Sequence, residues 1–385
     1  MDRSRGGYSR HWFDEADLAL RQWFVEQAQL RGLTVVPDRN TNLWAWWGDP
    51  GRGAVATGSH LDSVPGGGTF DGVLGIVAAF LAIDELRLRG HQPRHPIAVV
   101  GFAEEEGGRF GLPCLGSRLL TGAVDPDQVC RLRDAAGVSV AEAARRAGFD
   151  PCLFGADREL LDQLDAFVEL HVEQGRAMRL LDGSPSVALG SRIAAHGRWR
   201  FTFTGRADHA GTTLADERRD PVVAAAATVL AARSLMVEHA PAVATVGRVV
   251  AHPGGTNVIA GSADIWLDAR ADSAVATSAL VDAVEAASRQ EAELEGCSVV
   301  IRRESFNDEV ILDPVLGLEL AGALGVPSIT TGAGHDAGIL AAHVASAMIF
   351  VRNPSGVSHS PAEHIETQDC LAGVQALAGA LAALT

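Results

Sequence analysis

HPIAVVGFAEEEGGRF, residues 95–110, runs from an apolar segment straight into three glutamates, two glycines and an arginine. The apolar half is short and uninterrupted, the pattern of a strand buried on both faces of a parallel sheet. Three like charges at the end of such a strand repel one another and resist losing water. A solvated loop is the simple account of an acidic run. The flanking segments bear on whether it holds here.

Upstream, residues 14–31 have helical spacing, NLWAWW (42–47) and AVATG (54–58) read as strands, and GVLGIVAAFLAIDELRLRG (72–90) reads as a helix closed by glycine. Downstream, a longer helical stretch is expected over about 116–165, followed by a buried strand in DAFVELHVEQG (165–175). Alternating strands and helices imply a largely parallel sheet with helices on its faces. From about residue 192 the texture changes. RWRFTFTGRADHAGTT alternates like a half-buried strand, DPVVAAAATVLAARSLMVEH is helical, and TVGRVVAHPGGTNVIAGSADIWLDARA holds two strands around a glycine-rich turn. A helix at 273–295 and the strand CSVVIRRESF complete an α+β two-layer sandwich. The expected organisation is therefore an α/β domain over 1–191 and 309–385, with 192–308 inserted as a separate domain. SAMIFVRN (346–353) is the clearest strand after the insertion.

Composition excludes several classes. The chain has 385 residues, 47% hydrophobic and 21% charged, with a formal charge of -16. That balance fits a globular protein and argues against nucleic acid or an anionic membrane as partner. All 32 basic side chains are arginine, so no lysine can form a Schiff base, serve a phosphate loop or bridge metals as a carbamate. Five scattered cysteines without a C-x-x-C pair read as reduced thiols, which points to a cytoplasmic protein. MDRSRGGYSRHWF lacks an apolar signal core, and the apolar stretch 222–232 is too short to span a bilayer.

Several apolar strands run into metal-ligand chemistry. AVATG leads to His60 and Asp62, VVGFA to Glu104, Glu105 and Glu106, FVEL to His171, and the strand at 346–351 leads through NPSGVS to His359. Asp71 opens the helix at 72–88. Each has a plainer alternative: a hydrogen-bonded histidine at 60, a helix N-cap at 71, a solvent-facing strand residue at 171. Together they are a mixture of imidazole and carboxylate at the carboxyl edge of one sheet, where α/β proteins bind ligands, and two divalent ions with a bridging carboxylate need such a mixture. No G-x-S-x-G or H-E-x-x-H occurs, and GAGHDA (332–337) lacks the acidic residue a dinucleotide-binding turn requires, since 338–362 holds no Asp or Glu.

GSHLDSVPGGGTFDGVLG, EEEGGRFGLPCLGSR, ELHVEQG, GRADHAGTT, GGTNVIAG with LDAR, GAGHDA and SHSPAE occur in the order found in the M20-type metallopeptidase superfamily. The chain most resembles its ureido-acid branch: N-carbamoyl-L-amino-acid hydrolases, β-ureidopropionases and allantoate amidohydrolases. ELHVEQG carries most of this, because dipeptidase relatives usually place a carboxylate where His171 stands. The resemblance implies a dinuclear metallohydrolase domain with an inserted lid and dimerisation domain, acting on a small ureido or carbamoyl acid. It implies two divalent ions (Zn, Mn, Co or Ni) bridged by Asp71, one completed by His60 and His171, the other by Glu106 and His359. Asp62 would accept the other ring N–H of His60, and Glu105 would be the general base. His209 would stabilise the oxyanion, Asn257 and Arg270 would bind the substrate carboxylate, and Gln174 and His335, with Asp336, would meet the ureido end. For Arg270 a surface ion pair is the alternative. A homodimer through the inserted domain is expected.

N-carbamoyl-L-amino acids are the expected substrates, with allantoate and, further off, the N-acyl and dipeptide substrates of other M20 enzymes as alternatives. A non-catalytic relative would have lost a ligand or the base, and none is lost. Three departures from the branch pattern stand out: Gly108 for the usual serine, Leu214 for proline with Ala215–Glu217 lengthening that loop, and a short segment ahead of GGYSR. The loop change bears on substrate choice. Glu104 is left without an assigned role beyond a structural or supporting one.

Overall fold

The computed structural model describes residues 6–385, so MDRSR, the start of the segment read for a signal sequence, lies outside the described residues. The chain divides into two compact units. The first runs through Arg192 and resumes at Ile311–Thr385, and the second is Ile193–Val310.

In the first unit, Ile97–Phe102, Ala54–His60, Leu164–Val172 and Ala345–Val351 lie side by side and parallel. Ala54–His60 and Ile97–Phe102 are buried at every residue, which is why their sequences read as unbroken runs. Antiparallel strands extend both edges: Leu43–Trp47 and Thr34–Pro37 on one side, Val187–Ile193 on the other. Val310–Ile311 follows next to Val187–Ile193, and the Leu312 N–H donates to the Ser191 carbonyl at 3.2 Å.

Helix Val73–Leu88 is apolar nearly all round and buries Leu74, Ile76, Phe80, Ile83 and Leu86 against sheet and neighbouring helix. It starts at Gly72, whose φ is 69° and which supplies no side-chain cap, so Asp71 is not the N-cap and its carboxylate is free for other work. The long, variable helical stretch expected over 116–165 resolves into four short helices: Leu115–Thr121, Pro126–Arg131, Val140–Arg146 and Arg158–Leu161. Gly122 in the left-handed region stops the first, and Pro126 behind an Asp125 cap starts the second. A Ser139–Glu142 capping box starts the third. These pack around Trp12, Phe110, Leu115, Leu119 and Phe154 as a second core.

The second unit is a four-stranded antiparallel sheet in the order Val243–His252, Ser262–Ala271, Ala195–Thr204, Ser298–Asn307. Trp199, Phe201 and Phe203 alternate inward and meet Leu280, Val281 and Val284 of helix Ala274–Leu294. Helix Pro221–Glu238, longer than the apolar core read at 222–232, is by length and composition apolar enough to cross a membrane, with mean hydropathy 1.4. Ala224, Ala225 and Ala232 on one of its faces join the core of this unit.

Candidate metal centre

Parallel strands deliver their carboxyl ends to one edge, and the register fixes which residues arrive together. His60 lies beside Phe102, the last residue before the Ala103–Glu106 turn, and His171 lies beside Phe350. His359 comes from the loop after Ala345–Val351, and Asp71 from the turn ahead of helix Val73–Leu88.

Asp71 is the hub. Its Oδ1 is 3.3 Å from His171 Nε2 and 4.0 Å from His60 Nε2, while Oδ2 is 3.4 Å from His359 Nε2. His359 Nε2 is also 3.4 Å from Glu106 Oε1. Two donor groups result, His60–Asp71–His171 and Asp71–Glu106–His359, the donor atoms of each lying within 4.8 Å of one another. Asp71 Oδ2 and Glu106 Oε1 are buried and have no hydrogen-bond partner among the described residues. Both deeply buried rings are turned by backbone carbonyls: His60 Nδ1 lies 3.1 Å from the Asp62 carbonyl and His171 Nδ1 lies 2.9 Å from that of Val172. A ring that donates through Nδ1 presents the Nε2 lone pair to the carboxylates, the arrangement that orients metal-ligating histidines. The His60–Asp71–His171 group is buried and the second group opens to solvent at His359; lone pairs and orphaned buried carboxylate oxygens converging there are reconciled by cations, so these residues fit two divalent ions.

The electrostatics point the same way. Burial, reinforced by Asp71, pushes the Glu106 carboxyl well above the usual carboxylate range. Burial also raises Glu105, with His60 opposing and Asp336 and Glu106 adding to the rise. Burial holds His171 down at about 4 despite Asp71. Burial lowers His60 as well, but the charges of Glu105 and Asp62 outweigh it and leave the ring well above its ordinary value.

The acidic triplet divides into three environments. Glu105 Oε2 stands 3.7 Å from His60 Nε2, and the Cys114 thiol reaches Glu105 Oε1 at 3.6 Å. Glu106 belongs to the second donor group. Glu104, at φ 52°, turns to the loop instead, and its Oε1 accepts from the Arg109 and Phe110 amides at 2.9 and 2.8 Å. Gly107 makes this turn possible: its φ is 65°, and a Cβ there would lie 2.8 Å from Pro113 N.

Asp62 does something other than the resemblance implied. Its carboxylate is 3.6 Å from His60 Nδ1, too far for a good hydrogen bond, and the ring N–H meets the Asp62 backbone carbonyl. The carboxylate accepts the Glu105 and Glu106 amides instead, Oδ1 at 3.1 Å and Oδ2 at 3.0 Å. Gln174 is at the centre, with Nε2 3.3 Å from Asp71 Oδ1 and 3.2 Å from His359 Nε2. His335 is buried with its ring centroid 4.5 Å from that of His171. Asp336, expected beside it at the ureido end, is fully buried and takes the Ser117 hydroxyl at 2.5 Å, which makes it part of the protein interior.

His209, Asn257 and Arg270 all belong to the second unit. The Asp208–His209 bridge pairs with Val258–Ile259, and the Ala210 amide donates to the Asn257 carbonyl at 3.1 Å, so His209 and Asn257 are neighbours. Arg270 is not with them. It pairs with Val243 at one end of a strand whose other end, Ser262, pairs with His252, about 26 Å away at strand rise. Asn257 and Arg270 of one chain are therefore not brought to one carboxylate, and Arg270 holds Asp268 through Nε at 2.8 Å.

Residue types alone did not single out Glu363, Ser59 or Glu169. Glu363 Oε1 accepts the Phe70 and Asp71 amides at 3.0 and 3.1 Å and so holds the hub in place. Glu169 accepts the Ser59 hydroxyl and the Ala337 amide, both at 2.9 Å, behind His171. Glu363 had a signal in SHSPAE, within the same motif as His359.

A profile of Peptidase family M20/M25/M40 matches residues 35–383. The chain is 34% identical over 379 residues to N-carbamoyl-L-amino acid amidohydrolase of Geobacillus stearothermophilus, covering 97% of this chain and 92% of that protein. To allantoate amidohydrolase of Escherichia coli K12 it is 33% identical over 390 residues, covering 97% and 92%. Among solved structures, a hydantoinase/carbamoylase family amidase of Burkholderia multivorans superposes with a TM-score of 0.86 at 28% identity, covering 100% of this chain and 94% of that one. AtUAH in complex with (S)-hydroxyglycine gives 0.85 at 29% identity, covering 98% and 92%.

Proposed function

The chain belongs to the peptidase M20/M25/M40 family, and from that premise we propose that it hydrolyses the linear C–N bond of N-carbamoyl-L-amino acids or related ureido acids. One observation carries the reading: two donor groups that share Asp71, with the Glu105 carboxylate beside them at the carboxyl edge of the sheet. His60, Asp71 and His171 would hold one divalent ion, and Asp71, Glu106 and His359 the other. Bound there, the ions supply Lewis-acid polarisation of the scissile carbonyl and acidify water.

The chain's own residues do the rest. Glu105 takes a proton from the attacking water on a carboxylate oxygen and delivers it to the leaving nitrogen, so the amine departs neutral. Asp62 fixes the backbone beneath Glu105, and Glu363 fixes that beneath Asp71. Gln174 presents an amide to the ureido group, and His335 lines the same site. In the second unit, His209 donates to the developing oxyanion, and Asn257 and Arg270 serve the substrate carboxylate, for which a guanidinium is the matching partner. For a carbamoyl substrate the products are the free amino acid, carbon dioxide and ammonia.

A homodimer through the second unit belongs to this proposal. Supporting it are the exposed Val222, Val223, Leu230 and Val237 of one helix and the exposed Val243 and Val249 of an edge strand. It would also offset the separation of Arg270 from Asn257 within one chain. A cytoplasmic location is supported by five cysteines that are all free.

The test is ammonia or amine release across N-carbamoyl-L-amino acids, N-carbamoyl-β-alanine, allantoate, N-acetyl amino acids and dipeptides, before and after chelation. Ureido substrates should dominate and metal removal should abolish turnover. Preference for N-acetyl or peptide substrates, or activity that survives complete metal removal, overturns the proposal.

A further inference from the structure

His209 lies in a five-residue turn that closes on itself. The His209 carbonyl accepts the Thr213 amide at 3.2 Å and the Thr213 hydroxyl at 2.8 Å, and Asp208 Oδ1 accepts the His209 amide at 2.9 Å. Within the turn the Gly211 N–H points at His209 Nδ1 at 3.0 Å. A backbone N–H can only donate, so Nδ1 must present its lone pair, and the proton of the neutral ring resides on Nε2. The turn thereby selects one tautomer, the one with an outward N–H on an exposed side chain.

Holding the turn is Arg218. Its Nη2 donates to the Ala210 carbonyl at 2.7 Å and the Thr213 carbonyl at 3.2 Å, and its Nε lies 3.3 Å from the Thr213 carbonyl. Among the described residues no carboxylate forms an ion pair with it, so its planar fork is spent on two backbone oxygens flanking Gly211. A fixed fork of donors suits that task; a lysine ammonium, a point charge on a flexible stem, cannot hold two divergent carbonyls in one plane.

We propose that Arg218 is a positioning residue for the reaction: by clasping the Ala210 and Thr213 carbonyls it preserves the turn whose Gly211 N–H keeps His209 in the Nε2–H form, ready to donate to the oxyanion. This rests on the reading of His209 given above. A donor fixed before the substrate arrives costs no reorganisation when charge develops.

The test compares His209→Ala, Arg218→Ala and Arg218→Lys in the zinc-loaded enzyme, with kinetics and ¹⁵N-histidine spectra, the His209 signals being assigned by their loss in His209→Ala. His209→Ala should lower kcat about 100-fold, as loss of one oxyanion donor does. Arg218→Ala should lower kcat about tenfold, the lower end of what loss of a supporting contact costs, with KM changed less than about twofold. Its His209 nitrogens should move from the Nε2–H pattern toward an average of both tautomers, and Arg218→Lys should not restore either readout. If His209→Ala is impaired while Arg218→Ala keeps both wild-type kcat and the Nε2–H signature, the inference fails and the functional reading stands. If His209→Ala retains wild-type kcat, the reading of His209 as oxyanion donor fails and this inference fails with it. An unchanged zinc content and far-UV spectrum in Arg218→Ala show that the loss is local, and the nitrogen spectra report on the tautomer whether or not activity survives.

Discussion

Replacing Asp62 with asparagine separates two accounts of a residue beside the metal centre. In one, its carboxylate acts through the His60 ring; in the other, it acts through the backbone of the glutamate turn. The structure favours the second, with each carboxylate oxygen accepting one amide, from Glu105 at 3.1 Å and Glu106 at 3.0 Å. Asparagine keeps one acceptor and turns an NH2 toward the other N–H. One charge-assisted hydrogen bond is lost, the second becomes neutral, and a buried donor is left facing a donor. A hydrogen bond to a charged group contributes about 1.5–3 kcal/mol and an unsatisfied buried donor costs about 1–3, so the metal-free protein should lose roughly 2–4 kcal/mol. The His60 ring should be spared, because its Nδ1 meets the Asp62 carbonyl, which the substitution keeps. Denaturant unfolding of chelated wild type and variant measures the first effect. Metal titration measures the second, with the His60–His171 group retaining affinity within about tenfold, the mild end of the range for loss of a supporting contact. A chelated variant as stable as wild type, together with loss of metal at the His60 group, would refute the reasoning and restore the ring-orienting role.

Three further outcomes follow from the same geometry. Glu105→Gln should retain both metals and lose turnover, whereas Glu106→Gln should release metal on dialysis; metal analysis beside activity decides, and identical behaviour would remove the division of roles. Gly72→Ala should strip metal from the His60 group, because Gly72 has a φ of 69° and an added Cβ runs into the His60 ring; the positive-φ backbone alone costs about 1–3 kcal/mol in a non-glycine residue. The third concerns pH. Burial raises Asp17 to about 6 against its usual 3.8, with Arg21 opposing. The folded state then binds its proton more tightly than the unfolded one, so the contribution of this one group to stability is fullest below pH 3.8 and is lost as pH rises through 6, by at most about 3 kcal/mol. Asp17→Asn should flatten that decline in denaturant midpoints of the chelated protein between pH 4 and 7.

Why some of this was readable in the sequence is itself physical. Buried parallel strands announce themselves as unbroken apolar runs, and their carboxyl ends share one edge whatever the loops between them do. His60, His171 and the glutamate triplet could therefore be placed together from position alone. Atom-level partnerships were not readable. Whether Asp62 meets His60 through its carboxylate or its carbonyl depends on a local backbone path that no spacing encodes. Residue type and position at Asp71 fit a helix cap, but the helix starts at Gly72, a glycine at positive φ, and leaves the carboxylate to the site. Over 116–165 the helical character is legible but the boundaries are not; Gly122 and Pro126 set the first break. The resemblance sets Asn257 and Arg270 on one substrate carboxylate, yet a strand extends about 3.3 Å per residue and carries them apart.

The chain leaves the first unit on the strand ending at Ile193 and returns on Val310–Ile311, which is the next strand in the same sheet. Departure and return at neighbouring positions make the second unit a guest in an intact host. Excising it and joining the stumps with a short turn would re-thread nothing: the four central strands, their order and all five donor residues, Asp71 included, belong to the host. Ion binding should therefore outlive the guest, while the functions proposed for His209, Asn257 and Arg270 leave with it. In such a chain the donor set and the residues proposed to recognise substrate can be gained, lost or exchanged separately.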